Sequence, residues 1–296
     1  MLAICVVIIA AVLWMAVGAF GLFALIAGAM IISFILARRH ASQRRLSQGG
    51  AAAPGISADL KLWCGEIAAA WSIFLFAMPL ERWLMPRNVP PKRSGSAPVL
   101  LIHGYVNNAG SMWKLWKVLA HQGFGVHTLN LEPVYASIDA YAPQIAARIA
   151  AICTATGAAE VTLVCHSMGG LAARAYLRAC AVQKNPPGVA KIVTLGSPHH
   201  GTALARFEIS PNGRQMQRAS KWLAELAAHE RGAWPCPLVS VYSLDDNVVA
   251  PQLSAHLEGA RNIAIDGIGH ISLPLARRVT GIVLREVAPL EVPTPA

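Results

Sequence analysis

Apolar and polar positions divide the chain into three regimes. From Met1 to Leu36 no residue is charged. At 1.5 Å per residue a single helix of that length reaches about 54 Å, against a hydrocarbon core of about 30 Å. Gly18-Ala19-Phe20-Gly21 falls near the middle, so the pattern predicts a transmembrane hairpin over 1–36, with one long tilted helix as the alternative. Residues 37–59 form a basic and flexible linker, with Arg38, Arg39, Arg44 and Arg45 followed by a Gly/Ala/Pro stretch. A second apolar segment, 60–86, has a charge-free core of 14 residues, Ile67 to Leu80, containing Pro79. That is short for a span, so the segment reads as an interfacial helix or a third membrane helix. Residues 87–98 are a Pro/Ser/Lys/Gly linker and mark a domain boundary.

In the third regime, 97–287, short apolar runs alternate with helical periodicity. Strands are expected at Val99–Ile102, Val126–Asn130, Val161–Cys165, Lys191–Leu195, Leu238–Ser243 and Asn262–Ile265. Helices are expected at Ser111–Gln122, at Ile138–Thr154, after Ser167, and at Ser272–Val287. Such alternation specifies an α/β class: a mostly parallel sheet with helices on both faces, whose ligand lies beyond the carboxyl ends of the strands. One piece departs from this rhythm, the insertion at 203–237. Within it Arg214–His229 carries Met216, Ala219, Leu223, Leu226 and Ala227 at helical spacing. It reads as a cap or lid over the site, or as an extra helix packed on the core. The last residues, 288–296, are a Pro-rich tail.

Composition changes this picture in one respect. Of 296 residues 55% are apolar and 14% charged, against roughly 25% charged in an ordinary soluble domain. The net charge is +10. Residues 1–96 hold nine Lys/Arg against three Asp/Glu, leaving 16 against 12 for the remainder. Basic residues beside an apolar N-terminus favour anionic headgroups and cytoplasmic retention. The expected partner is therefore the bilayer and not nucleic acid, for which no motif is present. A secretory signal peptide fits poorly, since no basic residue precedes the run and the run is far too long. Two spans would leave the domain in the cytoplasm, and three would put it outside. Six cysteines show neither C-x-x-C pairs nor scaffold spacing, and read as buried small residues with no metal role. Nothing in the sequence bears on oligomeric state.

The chemistry centres on Val161–Leu171, VTLVCHSMGGL. A strand running through Ser167 into a helix holds the hydroxyl clear of its neighbours, at the positive end of the helix. A serine needs a base, and the base a carboxylate to orient it. The order Ser, Asp, His is met at successive strand ends. Asp245 and Asp246 follow Leu238–Ser243, and Asp266-Gly-Ile-Gly-His270 follows Asn262–Ile265. Asp246 is the preferred acid, with Asp245 and Asp266 in reserve. A turn Asp and a capping His are the common alternatives for each residue alone. Their alignment on one rim is what singles them out. The Met168 and Tyr105 N–H groups are the expected oxyanion donors. His103, Gly104 and His166 are expected to contact substrate, with loop shaping for His103 and packing under the turn for His166 as alternatives. His199 and His200 are expected to shape their loop.

LLIHGY, VCHSMGGLAARAYL, VTLGSPHHGT, SLDDNVVAP and GIGH together resemble the bacterial serine lipases and esterases of the α/β-hydrolase superfamily. The resemblance covers nearly all of 97–287 and none of 1–96. It implies hydrolysis of carboxylic esters of lipid-like substrates by Ser167, His270 and Asp246, with Tyr105 and Met168 as oxyanion donors, no cofactor, and a lid after Ser197–Thr202. Two departures stand out: Cys165 replaces the first glycine of the usual G-x-S-x-G, and Ser272 stands where some relatives carry a calcium-binding aspartate, so no calcium is expected. A bacterial inner-membrane enzyme is the expectation. An acyltransferase with the same triad and a non-catalytic membrane scaffold are its rivals.

Overall fold

Successive side chains on a strand face opposite sides of the sheet, and here both sides are apolar, so both must be covered by helices. The computed structural model describes residues 56–91, 96–184, 188–230 and 234–288, with isolated positions 21, 28, 32 and 35. The hairpin expected over 1–36, most of the 37–59 linker and the tail after 288 fall outside these residues. The chain runs α1 (Ile56–Trp71), α2 (Glu81–Leu84), β1 (Asn88–Val89), β2 (Val99–Ile102), α3 (Trp113–His121), β3 (Val126–Leu129), α4 (Ala142–Thr156) and β4 (Val161–His166). It continues with α5 (Met168–Gln183), β5 (Val189–Leu195), α6 (Pro211–Gln215), α7 (Lys221–His229), β6 (Leu238–Ser243), β7 (Arg261–Ile265) and α8 (Arg277–Val287).

The seven strands lie in the order β1-β3-β2-β4-β5-β6-β7, with β4 at the centre. Every neighbouring pair is parallel except β1 against β3. Leu100, Ile102, Leu163, Cys165 and Ile192 face α4 and α5 on one side. Val99, Leu101, Val164 and Val193 face α3 and α8 on the other. Chain order reverses about the central strands, so loops from β4, β6 and β7 open at one rim, the place where such sheets bind ligands.

The expected strands are present within two residues of their expected ends. Two helices differ. The continuous helix expected at Arg214–His229 is two helices, α6 and α7. Ala219 between them adopts φ +57°, and Ser210 and Ser220 accept from Gly213 N and Leu223 N to cap each helix separately. Both pack inward through Met216, Leu223 and Leu226, and Glu230 pairs with the buried Arg174 of α5. The last helix starts five residues later than expected, because Ala276 is extended, with ψ 132°.

Where an interfacial or membrane helix and a linker were expected, the described residues 60–91 pack on the domain. α1 passes into a π-helical turn, Ser72–Ala77, which ends before Pro79, where the i→i−4 donor is missing. Glu66, Ala69, Ala70, Ile73 and Ala77 are buried. Their spacing is that of one helical face, and that face is docked on the domain. Asn108 Nδ2 donates to Met78 O at 3.0 Å, and Asn130 Nδ2 donates to Glu81. Asn88–Val89, expected as linker, adds an antiparallel edge strand to β3. Among the described residues one helical stretch, Asp59–Ala77, is long and apolar enough to cross a membrane, with mean hydropathy 1.4.

Candidate active site

β4 is buried along its whole length, so its C-terminal end is a rigid base for the turn at Ser167. That residue reverses the chain with φ +53° and ψ −125°, a backbone rarely adopted by residues other than glycine, costing about 1–3 kcal/mol. The turn is possible because its neighbours are small. A β-carbon on Gly104 would lie 2.8 Å from Ser167 Cβ, and one on Gly169 would lie 2.6 Å from His103 O. Cys165, in the place of the usual first glycine, points into the apolar cluster beneath α5 and is fully buried. There is room for its side chain on that face, which is why the departure is tolerated.

Loops from β6 and β7 bring the other two groups to this serine. His270 Nε2 lies 2.9 Å from Ser167 Oγ, and His270 Nδ1 lies 2.7 Å from Asp246 Oδ2. A carboxylate can only accept, so Nδ1 carries the proton. Nε2 is then the acceptor for the serine O–H. All three are buried, with Ser167 8%, His270 4% and Asp246 1% exposed. Asp246 Oδ1 accepts from Val248 N and Val249 N at 2.8 and 2.7 Å, fixing the carboxylate. Burial alone would pull the His270 pKa down, but the charge and hydrogen bond of Asp246, with Glu66 behind them, outweigh it and raise the imidazole above its ordinary value.

The reserve acids have other partners. Asp245 Oδ2 accepts from Gly267 N at 2.7 Å, and Asp266 pairs with Arg278 at the surface. His103 accepts from Leu131 N through Nε2 at 3.0 Å and donates through Nδ1 to Gly104 O at 2.8 Å. Burial holds its pKa down at about 4, so it is a neutral clamp on the loop before Tyr105. His166 is 3% exposed, lies with its ring centroid 4.9 Å from that of His270, and donates from Nε2 to His270 O at 3.1 Å. Burial lowers its pKa to about 3. Both imidazoles thus have hydrogen-bond partners within the domain. His199 is likewise interior, at 3.1 Å from Thr194 Oγ1, while His200 sits at the exposed edge of the same loop.

Met168 is the first residue of α5, where backbone N–H groups have no intrahelical acceptor. Tyr105 follows the Gly104 contact with Ser167. The Tyr105 side chain turns to the insertion, donating to Glu208 Oε2 at 2.7 Å and meeting Ser210 Oγ at 3.0 Å, and burial pushes its pKa up to about 12. Two neighbours of Ser167, His270 and Asp246 escaped the sequence reading. Asn247 Oδ1 accepts from His270 N at 3.0 Å. Its position beside Asp246 was the available hint. Glu66 accepts from Ile271 N and Ser272 N, and its only signal was a lone carboxylate in an apolar stretch.

A serine at a strand-to-helix turn, with histidine and aspartate at the ends of later strands of one parallel sheet, is the arrangement of the α/β-hydrolase fold. The mature lipase BlEst2 of Bacillus licheniformis superposes with a TM-score of 0.60 at 15% identity, over 67% of this chain and 96% of that one. A profile described as palmitoyl protein thioesterase matches residues 98–232. The triacylglycerol lipase of Pseudarthrobacter phenanthrenivorans is 32% identical over 118 residues, 37% of this chain and 35% of the relative. Lysosomal thioesterase PPT2 of Rattus norvegicus is 29% identical over 150 residues, 47% and 46% of the two chains. The chain thus spans about a third to a half of the length of the curated relatives it matches.

Proposed function

We propose that this protein is a membrane-anchored serine hydrolase that cleaves carboxylic esters of lipid-like substrates through an acyl-enzyme. The observation that carries the reading is the chain of hydrogen bonds Ser167 Oγ, His270, Asp246, at 2.9 and 2.7 Å. His270 Nε2 takes the proton of the Ser167 hydroxyl as the oxygen attacks the ester carbonyl, and Asp246 stabilises the imidazolium that forms. The oxyanion is held by the N–H groups of Met168 and Tyr105. His270 then passes the proton to the departing alcohol, and water, deprotonated by the same nitrogen, releases the acid and restores Ser167.

An apolar substrate is favoured by the surroundings. Phe207 and Ile209 are 78% and 81% exposed, flanking the Glu208 that Tyr105 holds, and Tyr135 is exposed with its ring centroid 6.1 Å from that of Tyr105. Such a rim suits acyl chains better than sugars or nucleotides. Anchoring is favoured by the charge-free run 1–36. The match to the thioesterase profile over 98–232 favours a second reading, in which the scissile bond is an acyl thioester.

The test is hydrolysis of p-nitrophenyl esters from C2 to C16 and of a palmitoyl thioester by detergent-solubilised full-length protein, with and without an added alcohol acceptor. Ester turnover that disappears in Ser167→Ala is expected. Preference for the thioester would move the assignment to the second reading, and acyl transfer to the alcohol in place of free acid would make the protein an acyltransferase. Turnover unchanged in Ser167→Ala would defeat the mechanism.

A further inference from the structure

We infer that Glu66, on the N-terminal helix outside the matched region 98–232, is a positioning residue for His270. On this account α1 is a working part of the active site as well as a tether. The inference rests on the hydrolase reading for its kinetic consequence but not for its geometry.

Three observations point the same way. Glu66 is 1% exposed, although it is, among the described residues, the one charged side chain on the buried face of α1. Both carboxylate oxygens are engaged by one short stretch of the distant β7–α8 loop: Oε2 accepts from Ile271 N at 2.9 Å and Oε1 from Ser272 N at 2.8 Å. These are the two residues after the imidazole, so the carboxylate fixes the loop where it matters. Finally, the residue before the imidazole, Gly269, has no side chain because Glu66 occupies that space. A β-carbon there would run into Glu66 Cγ and Cδ. Alongside this contact, α1 and the domain are parted by a cleft of 690 Å³ lined by Gly65, Ala68, Trp113 and Gly267. The carboxylate therefore links α1 to the β7–α8 loop beside this cleft.

A buried carboxylate accepting two N–H groups is a strong, charge-assisted anchor, and cutting it leaves two donors without acceptors. It also adds negative charge behind an imidazole that must become cationic during reaction. Other titratable neighbours of His270 are Asp246, directly bonded, and His166, buried and neutral, while Asp245 is tied to Gly267 N in the same loop. Burial pushes the Glu66 carboxyl up, while the hydrogen bonds from Ser272 and Ile271 favour its charged form.

The experiment compares full-length wild type, Glu66→Gln, Glu66→Asp, Glu66→Ala, Gly269→Ala and the Glu66→Ala, Gly269→Ala double variant by three readouts: thermal unfolding, the second-order rate of fluorophosphonate labelling, and titration of the His270 imidazole by NMR of histidine-labelled protein. Glu66→Gln keeps the size but loses the charge and one acceptor, so labelling falls roughly ten- to hundredfold and the imidazole pKa drops by about half a pH unit or more. Glu66→Asp retains the charge and the pKa but loses the reach, so only the rate falls. Gly269→Ala displaces the carboxylate, and combining it with Glu66→Ala costs little beyond either change alone. Folded Glu66→Gln with wild-type labelling and an unmoved His270 titration would overturn the inference, as would a lowered melting temperature with neither of these changes. If Glu66→Gln does not fold, Gly269→Ala tests the same contact from the opposite side, and unchanged labelling in that variant also overturns it. Absence of labelling in the wild type would count against the hydrolase reading, while the NMR titration would still decide the role of Glu66.

Discussion

The rim of the sheet and the helix docked behind it are built on different principles. At the rim, Ser167, Asp246 and His270 lie just beyond the carboxyl ends of β4, β6 and β7, and their positions follow from the parallel sheet itself. Behind it, Glu66 reaches the same imidazole loop from an element that contributes nothing to the sheet and lies more than 200 residues away in sequence. The rim would keep its layout in any chain with this strand order. The docked helix lies outside the sheet and outside the matched region 98–232. The difference suggests that chemistry is placed by topology, whereas the stiffness and charge around it come from whatever packs nearby.

Substitutions at the two regions should therefore differ in size and kind. The largest loss is expected for Ser167→Ala or His270→Ala, each lowering kcat about a millionfold with little change in melting temperature. Asp246→Asn should cost about ten-thousandfold in kcat, since an amide at Oδ2 no longer compels the proton onto Nδ1. Asp245→Asn, one residue earlier, should change kcat by no more than a few-fold, because that carboxylate only accepts from Gly267 N. A comparable loss from Asp245→Asn would show that the two acids had been told apart wrongly. Away from both regions, Leu226→Ala in α7 should destabilise the protein by about 2–5 kcal/mol, since Leu226 is fully buried in the core cluster, while kcat stays near wild type. Chemical denaturation read beside steady-state kinetics separates that effect from the catalytic ones.

pH dependence sharpens the same contrast. The imidazole must be neutral to act as base, and its pKa is raised above the ordinary value of 6.5. Activity should then fall as pH is lowered through that raised value, giving an acid limb of kcat/KM above about 6.5. Asp246→Asn should move the limb to lower pH, because the charge that holds the proton is gone. A limb that stays in place would mean another group is titrating.

The rim was legible in the sequence and the docking was not, for physical reasons. Strands buried on both faces appear as continuous apolar runs, such as Val161–Cys165, and the residues just past their ends are marked by polarity and glycine. Asp246 could be preferred to Asp245 only weakly, since adjacent residues in a turn point in unrelated directions. The structure separates them by what each carboxylate accepts. The split at Ala219 was hidden because nothing about alanine announces a left-handed backbone, although Ser220 before Lys221-Trp222-Leu223 is a cap signal in retrospect. For α1 the apolar composition suggested lipid as the partner, in the interface or across the bilayer. The spacing of Glu66, Ala69, Ala70, Ile73 and Ala77 is equally consistent with a protein surface, and apolar patterning does not say which. A single carboxylate on the buried face was the clue that one side of the helix meets hydrogen-bond donors.

Catalysis of the proposed kind requires Ser167 to be an activated nucleophile, and covalent trapping tests this most directly. Purified full-length protein treated with a fluorophosphonate should gain the mass of one adduct, mapped by peptide sequencing to Ser167 and absent from Ser167→Ala and His270→Ala. A protein that remains unmodified, or an adduct carried by another residue, would contradict it.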